Sequence, residues 1–381
     1  MHTLKKSLFI SFLLILILVF PTGCKKRDPQ QQLSQKVDSI MKQMSLSDKV
    51  YQMLFVTPES LTKVGTVVSA GEATKTALKS KPVGGIVYFA SNFESREQTA
   101  EMIKNSQSYS EIPLFIAVDE EGGRVSRLGN NPEMGLTKHP PMKEIGDSKD
   151  INKAYMVGKT LATELSELGF NVDFAPVADL IINEENSEIG DRSFGTDAEN
   201  VSQMVANVVK GLQENQVSAA LKHFPGHGST QVDSHTGFSE STRTLDQIRN
   251  AEILPFKAGI KEGSDFVMVS HMTLTNATPS PLPCSLSKEI ITDLLKTELG
   301  YKGIVITDSF SMGAITEEYT IDEAVVKAIT AGVDMILMPK DPAAAHTAIL
   351  SAVESGKISA ERIDESVQKI LTLKFKKNMF N

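Results

Sequence analysis

The sequence predicts an α/β protein built as a single (β/α)8 TIM-type barrel. Eight short apolar runs recur along the chain, segments with helical spacing separate most of them, and charged or imidazole side chains end five successive runs. Apolar strands that alternate with helices pair in parallel, and the helices cover the sheet. Eight such units in roughly 340 residues fit one barrel with some long loops, and a doubly wound open sheet is the alternative.

The eight apolar runs are the predicted strands, and the segments between them carry helix start and stop signals. One helical pattern spans residues 287–295 ahead of Gly300, and another spans residues 322–331 and closes at Gly332. Glycine just beyond the last periodic residue is a common helix end. The strands are predicted at residues 53–57, 85–89, 114–119, 172–179, 219–223, 266–271, 304–308 and 335–339.

Side chains with catalytic or binding chemistry stand where the predicted strands end, as a barrel enzyme requires. The third, fourth and seventh runs end on carboxylates, the fifth on an amine and an imidazole, and the sixth on an imidazole. A helix cap explains any one of these residues, but capping does not explain the same bias on five successive strands. The residues are Asp119, Asp179, Lys222, His223, His271 and Asp308.

The composition is that of an ordinary globular protein. The chain has 381 residues, of which 41% are hydrophobic and 23% are charged. Its 47 acidic and 39 basic side chains give a net charge of -8, and no long basic block follows the N-terminus. Nucleic acid is therefore not an expected partner.

The N-terminus predicts export. Lysines precede an uninterrupted apolar run at residues 8–20, which is too short for an ordinary spanning helix and is typical of a signal peptide. Small residues before Cys24 resemble a bacterial lipobox, although Pro21 stands where that pattern prefers leucine. We expect a signal peptide at 1–23 and a lipidated Cys24 that anchors an exported lipoprotein to the membrane, with ordinary signal cleavage as the alternative. A flexible tether at 24–36 and a catalytic domain at 37–381 would follow.

Imidazoles are concentrated where the fifth predicted strand gives way to a loop. The segment 222–228 reads KHFPGHG and DSH follows at 233–235, so three of the seven histidines lie within fourteen residues. Catalytic groups collect on loops that a rigid scaffold holds. The pattern therefore indicates an active site rather than a core.

A metal site is one alternative for this cluster, because His223, His227, Asp233 and His235 all have the chemistry of metal ligands. Pro225 prevents a regular helix between His223 and His227, so they cannot form a helical ligand pair. We therefore expect no metal and no other cofactor.

Three further motifs accompany the histidine-rich segment. DEEGGRV at 119–125 follows a buried-looking strand, IGDRSFG lies at 189–195, and ITDS at 306–309 places a carboxylate at a strand end. Together, and in this order, the motifs resemble those of the bacterial β-N-acetylhexosaminidases of glycoside hydrolase family 3. The resemblance extends from near Val37 to the C-terminus.

The resemblance implies a retaining mechanism through a covalent glycosyl-enzyme. Asp308 would be the nucleophile, His235 the general acid/base, and Asp233 the residue that orients and polarises the imidazole. A retaining reaction needs one ionised carboxylate and one proton donor. Histidine, with an ordinary pKa of about 6.5, suits proton transfer in both directions near neutral pH.

The same resemblance assigns five residues to recognition of the hydroxyl and acetamido groups of N-acetylglucosamine. Charged donors and acceptors suit this task, because they form directional hydrogen bonds with a sugar's hydroxyls. The residues are Asp119, Arg127, Arg192, Lys222 and His223.

These features predict an exo-β-N-acetylglucosaminidase that removes terminal β-linked N-acetylhexosamine. Its partner would be a small carbohydrate, either a peptidoglycan fragment or a chitin-like oligosaccharide. Three alternatives remain open. They are a substrate-assisted mechanism with Asp119 and Glu120 as orienter and acid, phosphorolysis in place of hydrolysis, and a lipoprotein that binds cell-wall sugars without cleaving them.

Overall fold

Eight short parallel strands, each buried along its length, form the centre of the fold. The computed structural model describes residues 28–230, 239–279 and 281–380. Strands that follow one another along the chain are neighbours in the sheet, and the last strand pairs with the first. The strands are β1 (Leu54–Val56), β2 (Gly85–Val87), β3 (Phe115–Val118), β4 (Val172–Asp173), β5 (Ser218–Phe224), β6 (Phe266–Val269), β7 (Ile304–Thr307) and β8 (Ile336–Leu337).

The sheet closes into a barrel. Strand β8 pairs with β1, and a parallel bridge between Ile306 and Met335 joins β7 to the residue before β8. Across the same seam, the N–H of Thr307 donates to the carbonyl oxygen of Met335 at 3.2 Å. The prediction of a (β/α)8 barrel is confirmed. The doubly wound alternative is wrong, since an open sheet leaves two edge strands unpaired.

All eight predicted strands are present, and several are shorter than the apolar runs that predict them. The run at 172–179 is regular only over β4. Pro176 has no N–H to donate to a neighbouring strand, so regular pairing stops before it. Beyond Pro176, pairing with β5 resumes as a single bridge between Val177 and Lys222.

Helices cover the barrel, and capping residues define their ends. Thr320 and Glu323 form a capping box at the start of Ile321–Ala331, and Gly332 ends that helix with a φ of 115°. Among the described helices, none has the length and apolar character needed to cross a membrane. A π-helix spans Glu289–Glu298. The described α-helices are α1 (Pro29–Met41), α2 (Leu46–Gln52), α3 (Pro58–Thr62), α4 (Glu72–Ser80), α5 (Arg96–Ser108), α6 (Met142–Asp147), α7 (Ile151–Leu168), α8 (Ala198–Glu214), α9 (Leu245–Asn250), α10 (Ile253–Lys261), α11 (Gly313–Thr316), α12 (Ile321–Ala331), α13 (Pro342–Glu354) and α14 (Ala360–Lys376).

Ordered structure begins within the segment predicted as a flexible tether. Helix α1 starts at Pro29, where the side chain of Asp28 accepts the N–H of Gln30 at 3.1 Å. Proline in the first turn and aspartate before it both favour a helix start. Val37 is fully buried, and Leu33 packs against the core. Only a narrow face of α1 is apolar and packs against the core. The composition of this segment is therefore polar even though it is helical.

Helix α14 fills the amino-terminal end of the barrel. Its Lys374 is fully buried, donates to Oε1 of Gln52 at 2.8 Å, and places Nζ 4.9 Å from the centroid of the Phe115 ring. Burial lowers the pKa of Lys374 well below its ordinary value. This end of the barrel is therefore packed core.

A buried carboxylate fastens α14 and the π-helix to the barrel. Asp334 lies shortly before β8, is fully buried, and forms ion pairs with Lys296 at 3.4 Å, Arg362 at 3.4 Å and Lys369 at 3.0 Å. Burial acts to raise the pKa of Asp334, but the three cations and the N–H of Val305 outweigh it and lower that pKa. Asp334 is therefore ionised and holds three positive charges together.

We expect Asp334→Asn to lower the free energy of unfolding by about 3 kcal/mol, because a partly buried cluster of cations loses its anion. The folded pKa lies below the unfolded value of about 3.9, so this contribution is fully present at pH 7 and is lost as the pH falls through the folded pKa. Urea denaturation at pH 7 measures it. The control is Asp364→Asn, whose pair with Lys49 leaves Asp364 44% exposed. It should cost at most about 1 kcal/mol, and equal losses in the two variants would contradict the assignment.

Candidate active site

A cavity of about 260 Å³ opens at the carboxyl ends of the barrel strands. Apolar side chains from β2, β6 and β8 and from the end of β4 form part of its wall. Six residues predicted from the sequence as catalytic or sugar-binding also line it. They are Asp119, Arg127, Arg192, Lys222, His223 and Asp308.

The carboxylate of Glu121 binds two cations at the wall of the cavity. Its Oε1 and Oε2 each lie 2.8 Å from a guanidinium nitrogen of Arg192, and Oε1 lies 2.6 Å from Nζ of Lys222. Burial acts to raise the pKa of Glu121, but Arg192 and Lys222 outweigh it and lower that pKa. Burial acts to lower the pKa values of both cations, but Glu121 raises that of Arg192, and Asp119 and Glu121 raise that of Lys222. All three groups are therefore charged.

Asp119 extends this ionic chain toward Arg127. Nζ of Lys222 donates to Oδ1 of Asp119 at 2.7 Å, and a guanidinium nitrogen of Arg127 lies 3.8 Å from Oδ2. The guanidinium of Arg127 also lies 5.7 Å from the centroid of the Phe89 ring. Acceptors and donors thus alternate along one side of the cavity, which suits the adjacent hydroxyls of a sugar.

Asp179 orients His223. Its Oδ2 lies 2.7 Å from Nδ1 of His223, and its Oδ1 accepts the backbone N–H of His227 at 2.6 Å. Burial acts to raise the pKa of Asp179, but contacts with the two histidines outweigh it and lower that pKa. Burial and the neighbouring His223 lower the pKa of His227 to about 4, so His227 is neutral at pH 7. The bond to Asp179 leaves Nε2 of His223 on the side of Arg192, 3.5 Å from its guanidinium.

Asp308 follows β7 and reaches the cavity from the strand end. Its backbone N–H donates to the carbonyl oxygen of Val269 at 2.9 Å, which ties it to β6. Oδ1 of Asp308 accepts the N–H of Ser309 at 2.7 Å. A backbone N–H donated to a carboxylate stabilises the charge and fixes the plane of the group.

Glu120 has a structural role and is not among the described residues that line the cavity. Its carboxylate accepts the N–H of Leu128 at 2.7 Å and that of Gly129 at 3.1 Å, and it also accepts the hydroxyl of Ser126. These bonds hold the turn that carries Arg127. Both oxygens are therefore occupied by the fold, which disfavours Glu120 as an acid.

Asp233 and His235, the predicted acid/base pair, lie in the segment 231–238, outside the described residues. The residues on either side of that segment meet at the rim of the barrel. Oγ of Ser229 donates to Oγ of Ser241 at 2.9 Å. The described residues before and after this segment therefore lie next to each other.

A group of three or more His, Cys, Asp or Glu side chains arranged to hold a metal ion does not occur within residues 28–230, 239–279 and 281–380. Three carboxylates of the cavity are instead bonded to basic side chains. Glu121, Asp119 and Glu188 each form an ion pair with Arg192, Lys222 or both.

Similarity to known proteins identifies the family. Residues 45–373 match the glycosyl hydrolase family 3 N terminal domain. The chain belongs to glycosyl hydrolase family 3. A β-hexosaminidase of Nitrosomonas eutropha is 32% identical over 332 residues, which cover 84% of this chain and 93% of that protein. A β-hexosaminidase of Stenotrophomonas maltophilia is 34% identical over 280 residues, which cover 72% of this chain and 81% of that protein.

A solved family 3 structure shares the fold. The β-N-acetylglucosaminidase from a Paenibacillus species superimposes with a TM-score of 0.83 at 36% identity, over 89% of this chain. This chain spans 64% of the length of that protein. The predictions of a family 3 resemblance and of a glycoside hydrolase are confirmed.

Two buried carboxylates of this family 3 site were not assigned a role from the sequence. Glu121 lies in the DEEGGRV motif two residues after Asp119, and Asp179 ends the fourth predicted strand. In the sequence, Asp179 is a carboxylate at the end of a predicted strand, and Glu121 is a carboxylate shortly after one. Their task of binding Arg192, Lys222 and His223 depends on contacts between different strands.

We expect Glu121→Gln to lower kcat/KM by about 10²-fold, because Arg192 and Lys222 lose the shared anion that fixes their positions. Steady-state kinetics with p-nitrophenyl β-N-acetylglucosaminide measure the loss, and the thermal unfolding midpoint shows whether the barrel is intact. The matched control is Glu185→Gln, an exposed glutamate in the loop that precedes Arg192. It should retain wild-type activity. A Glu121→Gln enzyme as active as this control would refute the positioning role.

Proposed function

We propose that this glycoside hydrolase is a retaining exo-β-N-acetylglucosaminidase that acts on small carbohydrates. The observation that carries the proposal is the position of Asp308 on the wall of a cavity in which Glu121 holds Arg192 and Asp119 holds Lys222. One carboxylate at a fixed point, facing an array of donors and acceptors, is what a covalent glycosidase needs on one side of its substrate. The names of the two bacterial relatives support hexosaminidase activity.

The size of the cavity supports removal of one terminal sugar. Its volume is about 260 Å³. Pockets for drug-sized ligands have volumes of roughly 300–1,000 Å³, so this cavity suits a small ligand such as a single sugar residue. The amino-terminal end of the barrel is filled by Lys374 and its neighbours. A chain of sugars would thus enter by its end.

In the proposed first step, the carboxylate of Asp308 attacks the anomeric carbon while the bond to the leaving oxygen breaks. His235 gives its proton to that oxygen, and Asp233 stabilises the imidazole. A water molecule then attacks the same carbon, His235 takes its proton, and Asp308 is released as a carboxylate. Two inversions at one carbon retain the configuration. The roles of His235 and Asp233 rest on the sequence motif.

Arg192, Lys222 and Asp119 are proposed to bind the hydroxyl and acetamido groups, together with Arg127 and His223. Ion pairs with one another and with Glu121 and Asp179 fix these side chains before the substrate arrives, so little reorganisation accompanies binding. The bonds that Glu120 makes within its own turn speak against the substrate-assisted mechanism, which needs it as an acid.

We expect Asp308→Asn to lower kcat by about 10³-fold or more while the unfolding midpoint stays near that of wild type, because the nucleophile is lost and the amide keeps the shape. Hydrolysis of p-nitrophenyl β-N-acetylglucosaminide measures the loss. Asp246→Asn is the matched control, since Asp246 is 86% exposed and pairs with Arg249, and neither residue is among the described residues that line the cavity.

The same assay separates the competing functions. Turnover that persists with a chelator and yields free N-acetylglucosamine in phosphate buffer supports the hydrolase. A sugar phosphate product would make the enzyme a phosphorylase, and an active Asp308→Asn enzyme would restore the substrate-assisted route. Binding of chitobiose by a wild-type protein that cleaves no aryl glycoside would favour the sugar-binding lipoprotein.

We expect His235→Ala to lower kcat/KM by about 10²-fold or more on chitobiose, and by much less on 2,4-dinitrophenyl β-N-acetylglucosaminide. The reason is that a good leaving group departs without a proton. Parallel kinetics on the two substrates test the role. Equal losses on both would count against His235 as the acid.

Export and attachment to the membrane through a lipid on Cys24 are also proposed. The apolar run at 8–20 and the small residues before Cys24 support this placement. In the cell envelope, peptidoglycan fragments and chitin-like oligosaccharides are the available substrates.

A further inference from the structure

His271 holds the main chain next to Asp308. The residue is 1% exposed and follows β6, with Nε2 3.0 Å from the carbonyl oxygen of Ser309 and Nδ1 2.7 Å from Oγ of Ser285. A carbonyl oxygen can only accept, so Nε2 carries the hydrogen of this bond. In the neutral ring, the hydroxyl of Ser285 then donates to Nδ1.

Ser309 connects this imidazole to the carboxylate of Asp308. Its carbonyl oxygen accepts from His271, and its N–H donates to Oδ1 of Asp308 at 2.7 Å. On the other side, the N–H of Phe310 donates to the carbonyl oxygen of Leu337 at 2.9 Å. The segment 308–310 is therefore held from β6 through a side chain and from β8 through the backbone.

We propose that His271 is a positioning residue for Asp308. Its bond to Ser309 keeps the N–H of Ser309 directed at Oδ1 and so fixes the plane of the carboxylate. His271 is not among the described residues that line the cavity, so the proposed action on Asp308 runs through Ser309. The inference rests on the proposed role of Asp308 as nucleophile.

A buried histidine can also have no role beyond packing in the core. The ring centroid of His271 lies 5.6 Å from that of Phe310. The two roles differ in what they require of the ring. Packing requires its volume, whereas positioning requires a hydrogen-bond donor at the location of Nε2. A displacement of about 1 Å in a reacting group can cost about 10²-fold in rate.

Two conservative variants separate these roles. The amide nitrogen of glutamine reaches the location of Nε2, and that of asparagine reaches only the location of Nδ1. We expect His271→Asn to lower kcat by about 10²-fold with KM nearly unchanged, and His271→Gln to stay within about fivefold of wild type. The rate of covalent labelling of Asp308 by a 5-fluoro N-acetylglucosaminyl fluoride should fall in parallel with kcat.

Wild-type labelling is measured first. A wild-type enzyme that is neither labelled on Asp308 nor active refutes the proposed function, and the inference fails with it. If wild type is labelled, a His271→Asn enzyme labelled at the wild-type rate overturns the inference alone. The inference would also be overturned if the Asn and Gln variants lost equal kcat and both had a lowered unfolding midpoint. That result would show that His271 serves packing alone.

Ser285→Ala provides a second route if the histidine variants do not fold. It keeps the ring and removes the hydroxyl bonded to Nδ1, so the ring is held less firmly. We expect labelling to slow by about 10-fold at an unchanged KM. Labelling at the wild-type rate would overturn the proposal.

Discussion

The buried carboxylate of Glu121, shared between Arg192 and Lys222, is the contact on which the geometry of the site depends. These three residues lie after β3, after β4 and at the end of β5, and each is at most 7% exposed. An isolated charge in such a place would cost several kcal/mol of desolvation. Each of these side chains can therefore be buried at little cost only when its partners are in place, so the geometry of the site depends on the packing of three parts of the barrel against one another.

The two ends of the barrel use the same kind of ionic contact for different purposes. At the amino-terminal end, Asp334 binds three cations from the π-helix and α14, and Lys374 fills the remaining space. At the carboxyl end, Glu121 binds two cations and leaves a cavity beside them. The closed end stabilises the fold, and the open end leaves side chains such as Asp308 in reach of a ligand. This division matches the general behaviour of the barrel fold.

Much of the fold could be predicted because parallel strands buried on both faces read as apolar runs. Because the apolar runs also locate the strand ends, the residues at those ends could be predicted, and Asp308 and Lys222 do line the same cavity. The different tasks of Glu120 and Glu121 could not be predicted. The two are adjacent and chemically alike, and the turn decides that one holds backbone N–H groups while the other holds cations. The start of α1 was missed because only its narrow buried face is apolar.

The charges around the cavity are balanced, and this constrains the reaction it can support. Among the described residues, the cavity is lined by four basic side chains and four carboxylates. The basic ones are Arg124, Arg127, Arg192 and Lys222, and the carboxylates are Asp119, Glu121, Glu188 and Asp308. A neutral sugar therefore meets side chains of both signs, and its hydroxyls find donors and acceptors among them. In the proposed reaction, Asp308 would stabilise the positive charge that develops at the anomeric carbon in an oxocarbenium-like transition state. Because Glu121, Asp119 and Glu188 are already bonded to fixed cations, they respond less to that charge. In the proposed mechanism Asp308 forms and then breaks a bond to the sugar, so its interaction changes most along the reaction.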